Sequence, residues 1–216
     1  MIRLAHEQYS AEWWFERLGL PTSSEFHRLL TPTLKPSAQA STTYLYDKLA
    51  EFFVGEGQGG DSGDTPWTRR GTSMEAEARR WYEFDRGVTV EECGLVLSDD
   101  RRIGASPDGL VGADGLFEAK CPKASHHIGI MLGADAHKHR AQVQGQLLVT
   151  GREWCDLVVY SPILPPTVTR HEPDEEWRAA FEPALAEFLE RLEEAKGILR
   201  ARGLVGKDGQ HVLPAV

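Results

Sequence analysis

Apolar residues recur every three to four positions in several stretches of this chain, a spacing that predicts helices with one buried face. The stretches predicted to be helical are residues 24–30, 38–54, 72–86, 137–149 and 175–202. Ser23 or Ser24 is expected to cap the first of these helices, and Gly87 to end the third. Pro183 lies inside the last one, where a kink or a break is expected.

Shorter runs of apolar and β-branched residues between these helices predict strands. The strands are predicted over residues 88–90, 94–97, 102–105, 116–120 and 155–160. A turn near residues 113–115 is expected to pair the strand over 116–120 with the strand before it. Helices therefore precede a sheet and return onto it, which predicts a single α/β domain over residues 1–216. A Gly-rich flexible loop is expected at about 55–66 and a tail at about 203–216.

Composition is that of an ordinary soluble globular protein. The 216 residues are 41% hydrophobic and 26% charged, and no apolar run approaches the ~20 residues that span a bilayer. The N-terminus lacks the apolar segment of a signal peptide, and the 3 cysteines are widely spaced, so a reducing cytoplasm is expected. The formal net charge of −9 does not by itself indicate a nucleic-acid partner, although basic residues can still line one surface.

A Ser-Pro-Asp-Gly sequence followed by a Glu-Ala-Lys triplet carries the strongest chemical signal. Asp108 stands about ten residues ahead of Glu118. Because alternate side chains of a strand point to opposite faces, Glu118 and Lys120 share one face while Ala119 points into the core. The predicted turn would carry Asp108 to the same end of the sheet. Two carboxylates and one ammonium would then converge, which suits a divalent metal and a phosphodiester.

Residue type indicates a role for each of these groups. Asp108 and Glu118, helped by the backbone carbonyl of Ala119, would hold Mg²⁺, which polarises a phosphate and lowers the pKa of a bound water. Lys120 would orient that water or neutralise charge in the transition state. Glu75, on the helix before the sheet, would act as a further metal ligand or a general base. On these residues alone two other interpretations stay open: a structural ion pair in the strand, and a solvated acid on the helix.

Four segments, taken in order along the chain, resemble one family of nucleases. The pair Ser-Pro-Asp-Gly-Leu and Gly-Leu-Phe-Glu-Ala-Lys-Cys-Pro resembles the phage lambda exonuclease, or YqaJ-type viral recombinase, branch of the PD-(D/E)XK nucleases. The Gly-x-x-x-Glu-x-x-Ala-Arg pattern at residues 71–79 and the Ala-Gln-Val-Gln at 141–144 match the same family. So does the N-terminal segment from Trp13 to Glu25. The resemblance extends in order from about residue 13 to about residue 190.

The resemblance implies a PD-(D/E)XK restriction-endonuclease-like core, in which a central mixed sheet is flanked by helices. The catalytic residues that it implies are Glu75, Asp108, Glu118, Lys120 and Gln142. It also implies that Arg17, Ser24 and Ser106 bind the 5′-phosphate of a DNA end, for which a guanidinium fork and two hydroxyl donors are suited. Read without the family, these three would be a surface charge, a helix cap and a turn residue.

The sequence departs from the family pattern at two places. His139 stands three positions before Gln142, where relatives carry an aromatic residue. Near the family's apolar wedge, which parts the duplex, this chain has Trp-Thr-Arg-Arg, and the tryptophan is expected to substitute by stacking on a base. The residues expected to contact DNA are therefore Trp67, Arg69, Arg70, His139 and Arg140.

The activity implied by the resemblance is a Mg²⁺-dependent 5′→3′ exonuclease, with Mn²⁺ able to substitute, that degrades one strand of linear duplex DNA from 5′-phosphorylated ends. The implied assembly is a homotrimeric ring around the DNA, and the implied partner is a single-strand annealing protein. Such a protein would act in recombination in the cytoplasm of a bacterial host, away from membranes, and would come from a phage or prophage. Two alternatives stay open: another PD-(D/E)XK DNA nuclease, either an endonuclease or a RecB-like enzyme, and a catalytically inactive module that binds DNA ends.

Overall fold

The computed structural model describes residues 1–55, 66–133 and 137–209, and only the main chain of residues 66–73, 137 and 138. The helices are α1 (Ala11–Arg17), α2 (Ala38–Val54), α3 (Pro66–Arg86), α4 (Ala124–Met131), α5 (His137–Thr150) and α6 (Glu175–Ala201), with a 3₁₀ helix at Ser23–Arg28. The strands are β1 (Ile2–Arg3), β2 (Val90–Glu91), β3 (Val96–Leu97), β4 (Gly104–Ala105), β5 (Gly109–Val111), β6 (Gly115–Lys120), β7 (Trp154–Ser161) and β8 (Leu164–His171).

The strands form two sheets. Strands β1, β3 and β4 make a small antiparallel sheet, and the larger sheet has the order β2-β5-β6-β7-β8. Neighbours in the larger sheet are antiparallel except for β6 and β7, which run parallel. A parallel pair needs a crossover connection, and α4 and α5 provide it. The predicted mixed sheet flanked by helices is thereby confirmed.

The two faces of the larger sheet are covered by different helices. On one face, Leu116 of β6 belongs to the main core, which also contains side chains of α2, α5 and α6. On the other face, Phe117 and Ala119 pack with Tyr82 of α3. This alternation is what a strand buried on both faces requires. Glu118 therefore lies on the α5 face of β6 and Ala119 on the α3 face, so the two side chains point to opposite faces, as the spacing predicts.

Most of the predicted helices are present, with differences at their ends. Helix α2 has the predicted bounds, whereas α3 begins at Pro66 rather than at residue 72. Helix α6 does not break at Pro183, which lies on its exposed side. Phe181 and Leu185 on either side of the proline are buried. Their burial, about 1.5–3 kcal/mol each, offsets the ~3 kcal/mol that an interior proline costs a helix.

The segment predicted as a helix over residues 24–30 is the 3₁₀ helix, and its cap differs from the prediction. Thr22 precedes it, and no side chain caps its N-terminus, so the assignment of Ser23 or Ser24 as the cap is wrong. The hydroxyls of Thr22 and Ser24 lie 3.3 Å from each other instead. The two hydroxyls therefore contact each other, and neither caps the first N–H groups of the 3₁₀ helix.

The strands predicted over residues 88–90, 94–97 and 102–105 are shorter in the structure, where β2, β3 and β4 have 2 residues each. Part of the predicted tail packs on the rest of the protein: the Lys207 N–H donates to the Phe52 carbonyl at 2.9 Å. Residues 56–65 and 210–216 lie outside the described residues, so the single-domain organisation stays a prediction. In the described part of the chain, no helix combines the length and the apolar character needed to cross a membrane.

Asp156 of β7 fastens α3 to the sheet. Its carboxylate is buried and accepts hydrogen bonds from the Tyr82 hydroxyl at 2.7 Å and from two guanidinium nitrogens of Arg170 at 2.8 Å each. Burial alone would raise the pKa of this carboxyl, but these hydrogen bonds outweigh burial and hold the pKa below its usual value. The network thus positions the helix that carries Glu75.

We expect Asp156→Ala to lower the free energy of unfolding by about 2–4 kcal/mol at pH 7, because it removes the charged hydrogen bonds that Tyr82 and Arg170 donate to this carboxylate. Arg170 is half-exposed, so water solvates it in the variant. Because the pKa of Asp156 is depressed in the folded state, the contribution is present above about pH 4 and is lost as the pH falls through the folded-state pKa.

Urea unfolding between pH 7 and pH 3 measures this difference. The control is Glu182→Ala, which breaks an exposed helical pair with Arg178 and should change stability by less than about 0.5 kcal/mol. Equal losses in the two variants would contradict the assignment.

Candidate active site

The β5–β6 hairpin brings Asp108 to Glu118. The antiparallel register of the two strands places Asp108, the residue before β5, beside the end of β6. Its Oδ2 accepts a hydrogen bond of 2.8 Å from the Ala119 N–H. Since the N–H and the C=O of one strand residue point to the same edge, the Ala119 carbonyl also faces the Asp108 side. The hairpin therefore assembles the oxygen donors that the spacing predicts.

Glu118 is 1% exposed, and both of its carboxylate oxygens accept hydrogen bonds. Oε1 accepts from Lys120 Nζ and from Gln142 Nε2 at 2.7 Å each, and Oε2 accepts from Gln146 Nε2 at 2.7 Å. The two glutamines lie one turn apart on α5, so the helix presents both amides to the same carboxylate. Three donors, one of them charged, provide what a buried carboxylate needs.

Helix α5 is held in place on two sides, and this orients its glutamines. On one side Gly145 faces the 3₁₀ helix, where an added Cβ would lie 2.4 Å from Cδ2 of Phe26. Glycine therefore allows an approach that a larger residue would prevent. On another side the Gln144 amide bonds the Glu172 carbonyl and the Asp174 N–H at 2.8 Å each, which ties α5 to the start of α6.

Three carboxylates surround one ammonium at this site. Glu75 and Asp108 line the same cavity, of about 570 Å³. Burial, with the neighbouring Glu118 and Glu75 carboxylates, raises the pKa of Asp108 well above its usual value. Burial alone would lower the pKa of Lys120, but Glu118 and Asp108 outweigh it and raise that pKa. Such a concentration of negative charge is what a divalent cation would relieve.

The residues present fit a hard divalent cation. Among the described residues no group of three or more His, Cys, Asp or Glu side chains is placed to hold a metal by itself. The suitable oxygens here come from Asp108, Glu118 and the Ala119 carbonyl, with Glu75 on the wall of the same cavity. Both Glu118 oxygens already accept hydrogen bonds, so metal binding would replace or share one of these bonds.

A second cluster joins residues that are far apart in sequence. One Nη of Arg17 donates to Ser106 Oγ and the other to Thr22 Oγ1, both at 3.3 Å. Thr22 Oγ1 in turn lies 3.3 Å from Ser24 Oγ. The structure thus brings together the three residues predicted to bind a 5′-phosphate. We call Arg17, Thr22, Ser24 and Ser106 the phosphate-site cluster, after the role predicted for three of them. Ser106 is two residues ahead of Asp108, so this cluster adjoins the carboxylates.

Trp13 supports the phosphate-site cluster. Its ring is 4% exposed and lies under the Arg17 guanidinium, 4.3 Å from ring centroid to Cζ. Its indole N–H donates to Ser106 Oγ at 3.2 Å. Neither Trp13 nor Thr22 is among the predicted site residues. Both hold predicted site residues in place. Trp13 opens the segment that matches the family, but residue type alone does not distinguish it from a core residue, and it is the buried residue of α1.

The other predicted DNA contacts fall into two groups. The predicted contacts whose side chains lie outside the described residues are Trp67, Arg69 and Arg70. His139 is half-buried and stacks on His126, with ring centroids 6.3 Å apart. Arg140 donates from Nε at 3.1 Å to Asp174, the N-cap of α6. The structure therefore gives Arg140 a role in anchoring α6.

Gln146 is a further site residue that the sequence analysis does not predict. It is fully buried and directs its amide at Glu118. A signal for it is present, since residues four apart on a helix share a face and Gln142 is already implied. Without the register between α5 and β6, however, a buried glutamine is equally consistent with an ordinary core hydrogen bond.

Residues 12–153 match the YqaJ-like viral recombinase domain family. The chain belongs to this family. The YqaJ-like match spans both the phosphate-site cluster and the carboxylates, and it confirms the resemblance seen in the motifs. No curated protein sequence matches the chain significantly.

Solved structures show the same architecture. LHK-Exo, an alkaline exonuclease from Laribacter hongkongensis, is 33% identical, and the match covers 90% of this chain and 98% of that protein. The TM-score is 0.79 for its complex with dAMP and 0.78 for its other crystal structure. A phage-related exonuclease from Haemophilus somnus 129PT, 14% identical over 83% of this chain and 96% of its own, shares the fold with a TM-score of 0.64. The YqaJ-like domain therefore has the predicted PD-(D/E)XK-type fold.

We expect Asp108→Asn to raise the melting temperature in EDTA at pH 8 by at least about 2–4 °C, the shift that about 1 kcal/mol produces in a chain of this size. Asparagine keeps an acceptor for the Ala119 N–H but removes a disfavoured charge. A carboxyl whose pKa is raised in the folded state costs stability above its unfolded value, near 4, so the gain should vanish towards pH 4. Thermal unfolding at several pH values measures this gain.

The matched control is Asp99→Asn, since the Asp99 carboxylate is exposed and pairs with the N-terminal ammonium. An Asp108→Asn melting temperature equal to or below that of the wild type at pH 8 would contradict the charge arrangement.

We expect Gln146→Leu to lower the free energy of unfolding by about 1–3 kcal/mol, because it leaves a buried Glu118 oxygen without its donor. Urea unfolding measures the loss, and Gln39→Leu, at an exposed position of α2, is the control. If the two variants are equally stable, Gln146 does not hold Glu118.

Proposed function

We propose that this protein is a metal-dependent 5′→3′ exonuclease that degrades one strand of duplex DNA from 5′-phosphorylated ends. The observation that carries the proposal is the adjacency of the phosphate-site cluster to the carboxylates, through Ser106 and Asp108. An enzyme that removes one nucleotide at a time from a 5′ end must hold the terminal phosphate and cut at the next one. Membership of the YqaJ-like family and likeness to an alkaline exonuclease support the same activity.

Asp108, Glu118 and the Ala119 carbonyl would hold Mg²⁺ or Mn²⁺, with Glu75 as a further ligand or general base. When bound, the cation polarises the scissile phosphate and makes a water more acidic. Attack by water on that phosphorus breaks its bond to the 3′-oxygen and releases the terminal nucleotide as a 5′-monophosphate. Glu75, which lines the cavity, would accept the proton that the water loses.

Lys120 and the glutamines have separate tasks. Lys120 contacts Glu118 Oε1, and its raised pKa keeps it protonated in alkaline solution, so it can neutralise charge that develops on the phosphate. Gln142 and Gln146 donate to the Glu118 carboxylate from α5 and would fix its orientation. The buried position of Glu118 makes this support necessary.

The phosphate-site cluster would bind the terminal phosphate. The Arg17 fork and the hydroxyls of Ser24 and Ser106 offer donors to its oxygens. Each cleavage leaves a new 5′-phosphate on the shortened strand, and the same cluster can bind it again. The homotrimeric ring and the single-strand annealing partner stay predictions of the family resemblance.

An end-dependent exonuclease requires a free end. We therefore expect the wild type with Mg²⁺ to release nucleotides from a linear 5′-phosphorylated duplex and to leave a covalently closed circle of the same sequence intact. Acid-soluble nucleotide release and gel mobility measure the two outcomes. Linearisation of the circle would show an endonuclease, and no release from either substrate would show a DNA-end-binding module.

We expect Arg17→Ala to slow digestion of 5′-phosphorylated ends by about 10- to 100-fold while changing digestion of 5′-hydroxyl ends little, because the lost hydrogen bonds are charged. The quantity to measure is the ratio of the two initial rates, which does not depend on the fraction of active protein. Arg28→Ala is the matched control, since Arg28 also lies over an aromatic ring but pairs with Glu25 and Asp47. A ratio unchanged by Arg17→Ala would remove the phosphate-site assignment.

A further inference from the structure

Tyr9 lies at the entrance to α1 in a strained backbone conformation. Its φ is 67°, in the left-handed region that a bulky residue rarely adopts. The next residue, Ser10, is the N-cap of α1 and accepts from the Trp13 N–H. Glycine would occupy this position at lower cost, and backbone strain of this kind concentrates at functional sites. The tyrosine side chain is therefore expected to have a function at this position.

The ring of Tyr9 is half-open to solvent inside the active-site cavity. It lines that cavity together with Glu75 and Asp108, and 46% of the residue is exposed. An apolar ring left exposed beside buried charges gains little from the fold itself. The exposed Tyr9 ring can instead stack on a planar group of a ligand.

Tyr9 also joins the two parts of the site. Its ring lies 5.4 Å from that of Trp13, at an interplanar angle of 47°. Trp13 in turn contacts both Arg17 and Ser106 of the phosphate-site cluster. The exposed ring is therefore held at a fixed distance from the group that binds the terminal phosphate, on the side where the carboxylates lie.

We propose that Tyr9 is a substrate-binding residue. Its ring stacks on the base of the nucleotide at the 5′ end while the phosphate-site cluster holds that nucleotide's phosphate. This assignment rests on the proposed function of the site. Every base presents a π-face, so a tyrosine platform binds without sequence preference, as an exonuclease that removes successive nucleotides requires. Burial and the Glu75 and Asp108 carboxylates raise the pKa of Tyr9, which keeps its hydroxyl protonated in alkaline solution.

A binding experiment tests the platform without cleavage. The probe is a 5′-phosphorylated duplex with 2-aminopurine as its terminal base, titrated with protein in EDTA. Stacking on a tyrosine ring quenches 2-aminopurine, so the wild type and Tyr9→Phe should quench it, whereas Tyr9→Ala and Tyr9→Gly should not. Because no nucleotide has to be released, the result is independent of whether the protein is an active nuclease.

The two truncations separate strain from binding. Both delete the ring, but only glycine adopts a positive φ freely, so Tyr9→Gly should melt several degrees above Tyr9→Ala. With Mg²⁺, both should raise the KM for linear duplex on the order of tenfold, the scale of one base–aromatic stack, and change kcat less. Tyr46→Ala, which removes an exposed tyrosine on α2, is the control and should leave KM unchanged.

Loss of quenching and a higher KM in both truncations, with Tyr9→Phe close to the wild type, would support the platform. Quenching that is absent in the wild type, retained in Tyr9→Gly or lost in Tyr9→Phe would overturn it. A KM that follows the melting temperature across the three variants would show that the ring serves only to pack against Trp13.

Discussion

The buried charge of Glu118 is the constraint on which the rest of this site depends. A carboxylate at 1% exposure is costly unless donors surround it, and here they come from two directions. Lys120 approaches along the strand, and Gln142 and Gln146 approach from α5. Helix α5 can supply its two glutamines because the crossover connection between the parallel strands β6 and β7 lies on the Glu118 face of the sheet. The chain topology therefore brings to Glu118 the donors that a buried carboxylate needs.

Glu118 and Asp108 differ in how well hydrogen-bond donors stabilise their carboxylates. Asp108 accepts a main-chain hydrogen bond from Ala119, and burial together with the other carboxylates raises its pKa. A bound cation would therefore stabilise the Asp108 carboxylate, whereas side-chain hydrogen bonds already hold the Glu118 carboxylate in place. The phosphate-site cluster then adds positive charge two residues away, in a protein whose net charge is −9. A cation held by the carboxylates, together with the Arg17 guanidinium, would therefore attract a polyanionic substrate despite the total charge.

Sequence reasoning succeeds where contacts are local and periodic. The regular spacing from Tyr44 to Phe52 is sufficient to define α2, and strand alternation is sufficient to separate Glu118 from Ala119. Strand β8 is not predicted from the sequence. Its two adjacent prolines argue against a strand, but a strand at the edge of the sheet tolerates them. Sequence reasoning likewise fails to predict α1, which is short and has only one buried residue.

Most site residues are connected by contacts that spacing cannot reveal. Arg17 and Ser106 are 89 positions apart, and from residue type alone they are a surface charge and a turn residue. The family resemblance links them, and the structure shows how Thr22 and Trp13 complete the link. For Gln146 the helical repeat was informative, but only the register of α5 against β6 distinguishes it from a core glutamine.

The most direct measurement compares nucleotide release from a linear 5′-phosphorylated duplex by the wild type and by Glu118→Gln, each with Mg²⁺ and with EDTA. We expect rapid release by the wild type only with Mg²⁺, and a loss of at least about 100-fold in the variant while its melting transition stays cooperative. Release in EDTA, or release by Glu118→Gln at close to the wild-type rate, would contradict the central role of this carboxylate.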